Sequence, residues 1–340
     1  PSSSRGLELE TTLRQLFGEF DGGGTLSIGL SWTNYIAHAG RNGGVEFWTI
    51  DTDRFDDDDD NDDDDDEPYD LISQGTLLDD VLVTCLDWAK DDLWIGTQDG
   101  RVLVYTIDDD DDELPSKPVQ EFKNIGGAVL SIKFNEELDV AAATTSSGLV
   151  ELLTIQEPDR RRSFNPPFDS GRMSSNAFPL CAIIVEEEQD GQEELEPLTA
   201  SSSSNKRKFS LACGGNDGSV FLRSLQLLDD GTIDPELDLE CPFPTDSAVR
   251  ALVPGHQGPC KCLESPFPGM LLSGGQDGTV RVWEFNADTD DDETANGAYI
   301  LGGFKVWLGS FCTDGERLVM DGADNAISIL DFGGGGEVEK

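Results

Sequence analysis

The residue types that most often ligate metals or bind cofactors are few or scattered in this chain. Its two histidines are His38 and His256. The seven cysteines form no Cys-x-x-Cys pair; they are Cys85, Cys181, Cys213, Cys241, Cys260, Cys262 and Cys312. A zinc site requires about four soft ligands, and the glycine runs lack the Lys-Ser/Thr that completes a phosphate-binding loop. We therefore predict no metal site and no cofactor.

Four of the cysteines, Cys85, Cys181, Cys213 and Cys312, lie in apolar runs that resemble strands. Cysteines in such runs indicate buried free thiols, and hence an intracellular, reducing compartment, either cytoplasm or nucleus. The chain begins with Pro1 rather than Met. An organelle is a further option if a targeting peptide has been removed.

Acidic residues dominate the charge of the chain. There are 69 Asp and Glu against 23 Lys and Arg, a formal net charge of −46. So acidic a chain repels nucleic-acid phosphates and anionic membrane surfaces, and no apolar run approaches the roughly 20 residues that span a bilayer. We therefore predict neither direct nucleic-acid binding nor membrane insertion.

Much of the negative charge lies in short tracts of low complexity. The Asp-rich tract lacks the glycine and the ligand spacing of a calcium-binding EF-hand loop. Tracts of this composition cannot bury enough apolar surface to fold. We predict disordered inserts at 56–67, 108–113, 186–205 and 288–296, and a flexible tail at 333–340.

One segment, 157–176, differs from the acidic tracts because it combines arginines with aromatic residues. It contains Arg160, Arg161, Arg162, Phe164 and Phe168. Arginine and aromatic side chains are enriched at protein interfaces, so we predict that these five bind a partner. The three arginines also make the following residue, Ser163, resemble a site for a basophilic kinase. The alternative is a surface loop whose arginines offset the general acidity.

The elements that would position such residues repeat along the chain. Six times, a short apolar strand leads into a glycine-containing turn and then into a strand with alternating apolar residues. The turns lie at Gly43, Gly100, Gly148, Gly218, Gly278 and Asn325. Asn-Gly and Asp-Gly pairs favour two-residue hairpin turns in which both central residues take positive φ. The repeated unit is therefore a β-hairpin.

The hairpins recur at intervals of 47 to 70 residues, and the longest intervals contain the low-complexity inserts. Most hairpins are also preceded by another apolar strand, for example VLVTCLDW before Gly100 and AVLSIKF before Gly148. Repeats of roughly 40–50 residues built from four strands are typical of a β-propeller. We predict a single all-β domain over 1–340.

The segment 255–284, GHQGPCKCLESPFPGMLLSGGQDGTVRVWE, resembles a repeat of the WD-repeat β-propeller family, to which transducin-like G-protein β subunits belong. It has the Gly-His opening, the Ser-Gly-Gly strand, the Asp-Gly turn and the closing Trp, here followed by Glu. The resemblance implies a buried hydrogen-bonded set that stabilises one blade: His256, Ser273, Asp277 and Trp283. The other five copies are more degenerate.

A set that contains Ser, His and Asp invites comparison with a catalytic triad. Ser273 lies within a predicted strand, without the sharp strand-to-helix turn of a nucleophile elbow. Acidic residues elsewhere occur in runs rather than as paired carboxylates. We therefore predict a structural role for the set and no catalytic residues in the chain.

The hairpin count favours six blades of four antiparallel strands, although seven are common in the family. The last copy ends at Phe332 without a fourth strand of its own. The N-terminal segment ETTLRQLFGEF can supply that strand and close the ring.

Taken with the resemblance, these features predict a non-catalytic interaction scaffold or adaptor, a monomeric propeller that is a subunit of a larger complex. We expect one or more protein partners with basic or mixed surfaces, because net charge steers association. The alternative is a propeller enzyme with a metal or carboxylate site in the central channel.

Overall fold

A computed structural model of the chain describes its β-strands and the turns between them. The described residues are 11–13, 25–31, 35–40, 43–51, 70–78, 81–107, 114–156, 162–164, 177–187, 208–225, 249–285, 294–302, 310–313, 315, 317–321 and 327–331.

Within these residues the regular elements are all strands. The first twelve are β1 (Thr11–Leu13), β2 (Thr25–Leu30), β3 (Tyr35–Gly40), β4 (Val45–Asp51), β5 (Asp70–Leu77), β6 (Val83–Ala89), β7 (Asp92–Thr97), β8 (Val102–Thr106), β9 (Gln120–Phe122), β10 (Val129–Asn135), β11 (Val140–Thr145) and β12 (Val150–Leu153). The others are β13 (Arg162–Phe164), β14 (Pro179–Glu186), β15 (Phe209–Gly215), β16 (Val220–Ser224), β17 (Val249–Val253), β18 (Cys260–Glu264), β19 (Met270–Gly275), β20 (Val280–Glu284), β21 (Thr294–Leu301), β22 (Phe311–Thr313), β23 (Arg317–Asp321) and β24 (Ile327–Asp331).

Consecutive strands pair in antiparallel groups of four. Three sheets are simple meanders: β2 to β5, β6 to β9, and β10 to β13. A fourth contains β22, β23 and β24, and its outer strand is β1 from the N-terminal region. The predicted pairing of an N-terminal strand with the last hairpin is therefore present, with Thr12 opposite Ser328.

The remaining strands form one sheet of eight, so the described strands make five sheets rather than the predicted six. Within this sheet β14 to β17 and β18 to β21 are each antiparallel, and β17 pairs with β21 in parallel. The prediction of six separate sheets is wrong because the backbone of Ala251, Leu252 and Val253 lies alongside that of Thr294, Ala295 and Asn296.

The core lies between successive groups of four strands. One cluster joins β3 and β4 to β6, β7 and β8, and includes Phe47, Leu86 and Ile95. Another joins β14, β15 and β16 to β18, β19 and β20, and includes Leu222, Leu263 and Trp283. A strand that is buried on both faces has a nearly continuous run of apolar residues in its sequence instead of a strict alternation. β14 is an example, because Cys181 to Val185 are all buried.

The first strand of each group of four lies innermost and packs against the first strand of the next. β2 packs against β6, β6 against β10, β10 against β14, β14 against β18, β18 against β22, and β22 against β2. Hydrogen bonds between groups run from Ile28 N to Ser310 Oγ (3.0 Å), Leu86 N to Ser27 Oγ (2.8 Å), Thr84 Oγ1 to Val129 O (2.6 Å) and Thr144 Oγ1 to Leu180 O (2.8 Å).

The hairpin turns differ from the predicted two-residue type. In the second copy, Gly100 N donates to Thr97 O and Thr97 N donates to Arg101 O, so the loop has three residues. Gly100 has φ +80°, whereas Asp99 is not among the residues with positive φ. The loop is thus a type I turn followed by a left-handed glycine. The same pattern occurs at Gly148, Gly218 and Gly278; Asn325 lies outside the described residues.

Three predicted loop boundaries are also corrected. The insert predicted at 186–205 begins too early, because Glu186 ends β14 and Glu187 is buried; the insert at 288–296 overlaps β21 from Thr294. The segment 157–176 contains the strand β13, which pairs with β12. In each case backbone pairing with a neighbouring strand outweighs the polar composition. The inserts at 56–67 and 108–113 and the tail at 333–340 lie outside the described residues.

Candidate functional site

The predicted Ser, His, Asp and Trp set lies inside the sheet formed by β18 to β21. His256 precedes β18, Ser273 is in β19, Asp277 is in the β19–β20 turn and Trp283 is in β20. All four are brought together in the structure. Gly278 has φ +70°, as this tight turn requires, and the Asp277 carboxylate contacts His256 and the Gln257 backbone N–H.

The hydrogen bonds within this set form one continuous chain. The Trp283 indole N–H donates to Ser273 Oγ at 2.9 Å, and Ser273 Oγ lies 2.8 Å from His256 Nε2. On the other side of the ring, His256 Nδ1 lies 3.0 Å from Asp277 Oδ1. The Asp277 carboxylate can only accept, so the proton of a neutral His256 lies on Nδ1, and His256 Nε2 accepts from the Ser273 hydroxyl.

The electrostatics of the set agree with this assignment. Burial lowers the pKa of His256, and the Asp277 carboxylate only partly opposes that shift. Burial would raise the pKa of Asp277, but hydrogen bonds from the Gln257 backbone N–H, the Thr279 hydroxyl and His256 outweigh it and hold this pKa well below the usual range. The set is therefore an ionised carboxylate beside a neutral imidazole.

This geometry stabilises a blade and does not present a nucleophile. Ser273 and Trp283 are both 0% exposed, so no substrate can reach Ser273 Oγ without opening the core. Buried polar groups that are fully hydrogen-bonded make a sheet more rigid and favour a single packing arrangement of its core.

A second cluster of charged side chains occupies the central channel. The Lys133 ammonium lies 2.9 Å from Asp87 Oδ1 and also contacts Glu264 Oε1. The three residues belong to β10, β6 and β18, three different groups of strands. Their side chains are 9%, 13% and 12% exposed, so the cluster links these strands across the channel in a largely dry environment.

Burial and the attraction between opposite charges together set the pKa values in this cluster. Burial raises the pKa of Glu264 to about 7 and also raises the pKa of Asp87, while the nearby ammonium opposes both shifts. Burial alone would lower the pKa of Lys133, but the two carboxylates outweigh it and raise this pKa above the usual range. Lys133 is therefore a buried cation.

The cluster was missed by reasoning from the sequence, which found no convergent acids. The signal is present, however, in the innermost strands. Asp87, Lys133 and Glu264 are each the fifth residue of their strand. Aligning the strands that precede each hairpin would have placed three charges in one layer of the channel.

These residues also line a cavity of about 240 Å³ at the end of the channel where the innermost strands finish. All six innermost strands, or the residues that follow them, contribute to its wall: Ser31, Trp88, Phe134, Ile184, Ser265 and Thr313. No group of three or more His, Cys, Asp or Glu side chains among the described residues is arranged to hold a metal ion.

The arginine-rich segment is described only in part. Arg162, Ser163 and Phe164 form β13, with Ser163 opposite Glu151 and exposed at the outer edge of its sheet. Arg160, Arg161 and Phe168 lie outside the described residues. Their predicted role in partner binding therefore stays a prediction.

The sheets, their inner strands and the channel between them define an all-β propeller of four-stranded antiparallel blades. Residues 248–284 match the family model for the WD domain, G-beta repeat. The chain is also similar in structure to the WD40 β-propeller domain of Doa1, with 12% identity, a TM-score of 0.54, and coverage of 95% of this chain and 96% of that one. No curated protein sequence matches the chain.

The resemblance indicated by the sequence is confirmed. The chain contains a WD repeat, in the blade that holds His256 and Trp283, and it has the fold of a WD40 β-propeller. The part of the chain that the structure describes contains no helix long and apolar enough to cross a membrane.

Proposed function

We propose that the chain is a non-catalytic protein-interaction scaffold, a monomeric propeller that serves as a subunit of a larger complex. The observation that carries this proposal is the WD40 propeller itself, because propellers of this family generally bind proteins. A rigid frame of strands presents loops on two faces, which lets several partners dock. The buried Ser273 adds support, since the chain's most triad-like residues have no access to a substrate.

We further infer that the propeller has six blades and is a closed ring. The eight-stranded sheet contains two complete groups of four strands, whose innermost strands β14 and β18 pack side by side. Packing of β22 against β2 and the bond from Ile28 N to Ser310 Oγ support closure between the last and first blades.

Affinity capture from native lysate with the full chain tests the scaffold proposal. We expect a stoichiometric protein partner. It should stay bound at a salt concentration that removes basic proteins attracted non-specifically to the acidic chain. No partner above background, together with turnover in a metal-supplemented activity screen of the pure chain, would overturn the proposal.

The role of the arginine-rich segment is tested in the same assay by substitution rather than deletion, because deletion would remove β13. We compare Arg160→Gln, Arg161→Gln and Arg162→Gln together with Lys206→Gln, Arg207→Gln and Lys208→Gln together, which removes the same charge elsewhere. Loss of the partner from the first triple variant alone would locate docking at this segment.

The enzyme alternative has one observation in its favour: the Asp87 and Glu264 carboxylates converge in a channel cavity. If the channel were catalytic, turnover found in the screen would be lost in both Asp87→Asn and Glu264→Gln. Turnover that survives both variants would exclude these carboxylates from catalysis.

A further inference from the structure

Two serines of the chain follow basic residues in the arrangement that arginine-directed serine kinases recognise. In this arrangement basic side chains stand three and two positions before the serine. They are Arg160 and Arg161 before Ser163, and Arg207 and Lys208 before Ser210. No other serine or threonine of the chain has basic residues at both positions. The sequence therefore offers two candidate phosphorylation sites, and their places in the fold distinguish them.

Ser210 is inaccessible to a kinase in the folded chain. It is the second residue of β15, which lies between β14 and β16 in its sheet, and it is 0% exposed. Its hydroxyl donates to Glu187 Oε1, and the same carboxylate oxygen accepts from Arg250 Nη2 at 2.6 Å. Phosphorylation of Ser210 would require this buried hydrogen bond to break and the strand to leave its sheet.

Ser163 has the opposite environment. It is exposed, and it is the middle residue of β13, which pairs only with β12 among the described strands. The outer strand of a sheet has one row of backbone N–H and C=O groups without strand partners, and so short a strand opens locally at small cost. A kinase can therefore reach the Ser163 hydroxyl and bind the extended backbone beside it.

The residue opposite Ser163 gives a phosphate at this position a structural effect. Ser163 pairs with Glu151 across β12 and β13, so the two side chains lie on the same face of the sheet. Glu151 is 5% exposed, and its Oε1 lies beside Gly126, where an added Cβ would be 3.4 Å away. A phosphoserine carries a charge of about −1.5 to −2 at pH 7. Because like charges directly opposite each other destabilise a strand pair, the phosphate should weaken the pairing of β13 with β12.

We propose that Ser163 is a phosphorylation site for an arginine-directed serine kinase, and that its phosphate loosens β13 from the edge of its blade. In the transfer, Ser163 Oγ forms a bond to the γ-phosphorus of ATP while the bond from that phosphorus to the β–γ bridging oxygen breaks. ADP leaves with the electron pair of the broken bond, and the serine proton passes to a carboxylate base of the kinase. This inference goes beyond the scaffold proposal and does not depend on it.

The first test incubates the full chain with magnesium, ATP and the catalytic subunit of cyclic-AMP-dependent protein kinase, which is an arginine-directed serine kinase. Phosphopeptide mass spectrometry locates the phosphate. We expect nearly complete modification of Ser163 and roughly a tenth as much or less at Ser210, because opening a buried strand is rare. Free peptides with the sequences of 158–168 and 205–213 should both be modified, since neither serine is buried there. Equal modification of the two serines in the folded chain, or none at Ser163, would overturn the inference.

Matched variants test whether the arginines direct this modification. Arg160→Gln with Arg161→Gln should slow phosphate transfer to Ser163 roughly tenfold, because the kinase loses two charge-assisted pairs. Arg207→Gln with Lys208→Gln removes the same charge from the other motif and should leave the rate within about twofold, because distant exposed charges are screened. Equal rates in the two double variants would contradict recognition through the arginines.

Hydrogen exchange measures the effect of the phosphate on the blade edge. Backbone amides of β13 should exchange about fivefold faster in the modified chain, whereas those of the inner strand β10 should not change. Ser163→Ala treated with the same kinase controls for modification elsewhere. Glu151→Gln removes the opposing charge and should reduce the acceleration to about twofold or less. Exchange of β13 that is unchanged by the phosphate, or an acceleration that Glu151→Gln leaves intact, would refute loosening through Glu151.

Discussion

Single side chains in this propeller act mainly through buried hydrogen bonds. The clearest case is the Trp283 indole N–H, which donates to Ser273 Oγ; the same hydroxyl group is hydrogen-bonded to His256 Nε2. Trp94 offers a natural comparison because it is equally buried, at 0% exposure, but its indole N–H has no hydrogen-bond partner in the described structure.

We predict that Trp283→Phe lowers the free energy of unfolding by about 1 kcal/mol more than Trp94→Phe does. Both changes remove similar volume from the core, and only the first removes a hydrogen bond. Urea unfolding of the two variants measures the difference. Equal losses would show that the bond to Ser273 adds no stability.

Protonation of His38 couples stability to pH. Burial lowers the pKa of this histidine to about 4, while in the unfolded chain it is near 6.5. Between these values the unfolded state binds the proton and the folded state does not, so stability falls as the pH falls from 6.5 toward 4.

We therefore expect His38→Gln to reduce this acid sensitivity, by up to roughly 3 kcal/mol across the window. The measurement is the difference in unfolding free energy between the two proteins from pH 4 to pH 8. This difference should be constant above pH 7 and change below 6.5. A difference independent of pH would mean that His38 titrates alike in both states.

At the scale of the element, the hairpin turns depend on left-handed glycines whose surroundings differ. Gly148 has φ +81° and an added Cβ would be 3.6 Å from Phe178 Cβ, an ordinary contact. Gly218 has φ +84°, but its Cβ would collide with the carbonyl oxygen of His256 and lie 2.6 Å from that of Gly258.

Gly148→Ala should therefore cost about 1 kcal/mol, the cost of a left-handed residue with a side chain. Gly218→Ala should cost roughly 3 kcal/mol or more, because backbone atoms must also move. Thermal and urea unfolding of the pair distinguish these values. If Gly218→Ala were as stable as Gly148→Ala, the backbone of the loop before β18 would be able to move away from the added Cβ at no cost in free energy.

The inner strands are tied together by the cluster of Lys133, Asp87 and Glu264. Lys133→Met should reduce stability at pH 8 by about 3 kcal/mol, because two buried carboxylates lose their counter-ion. Without that ammonium the folded-state pKa values of both acids rise further. Stability lost at pH 8 should then return as the pH falls and the folded protein takes up protons.

The check is urea unfolding of Lys133→Met at pH 8 and pH 5.5, with the neutral triple variant Lys133→Met, Asp87→Asn and Glu264→Gln as control. The triple variant should be more stable than the single one at pH 8 and should regain no stability at pH 5.5, where it shows only the loss that His38 causes in every variant. A single variant with wild-type stability at pH 8 would refute a structural role for the ion cluster.

At the scale of the whole molecule, the two ends of the described chain meet in one sheet. Thr11, Thr12 and Leu13 pair with Ile329, Ser328 and Ile327. Removal of residues 1–13 should therefore expose the edge of β24 and lower the unfolding midpoint, whereas removal of residues 1–10 keeps β1. If both truncations unfold at the same urea concentration, β1 does not stabilise the ring.

Much of the fold could be predicted from the chain because the repeated units are local. A hairpin such as β7–β8 depends on an Asp-Gly turn and on flanking apolar residues that are adjacent in sequence. The strands preceding Gly100 and Gly148 were placed correctly because their apolar runs are also local in sequence. The turn type was not, because an Asx-Gly pair fits both a two-residue turn and a type I turn with a bulge.

Contacts between different repeats could not be predicted from local residue patterns. Whether β17 pairs with β21 depends on how two neighbouring blades approach at their outer edge, and no local residue pattern encodes that distance. The charge cluster has the same origin, since Lys133 and Glu264 are 131 residues apart and meet only when the inner strands surround one channel.

The amino-acid sequence by itself determined the β-hairpin repeat and the glycine turn positions, because turn chemistry and alternation act over a few residues. The four residues of the WD set followed from the resemblance to the WD-repeat family. Only the tertiary structure decided which sheets merge, which charges share the channel and where the cavity opens. These features depend on packing between strands far apart in the chain, where burial changes both the contacts and the ionisation of each side chain.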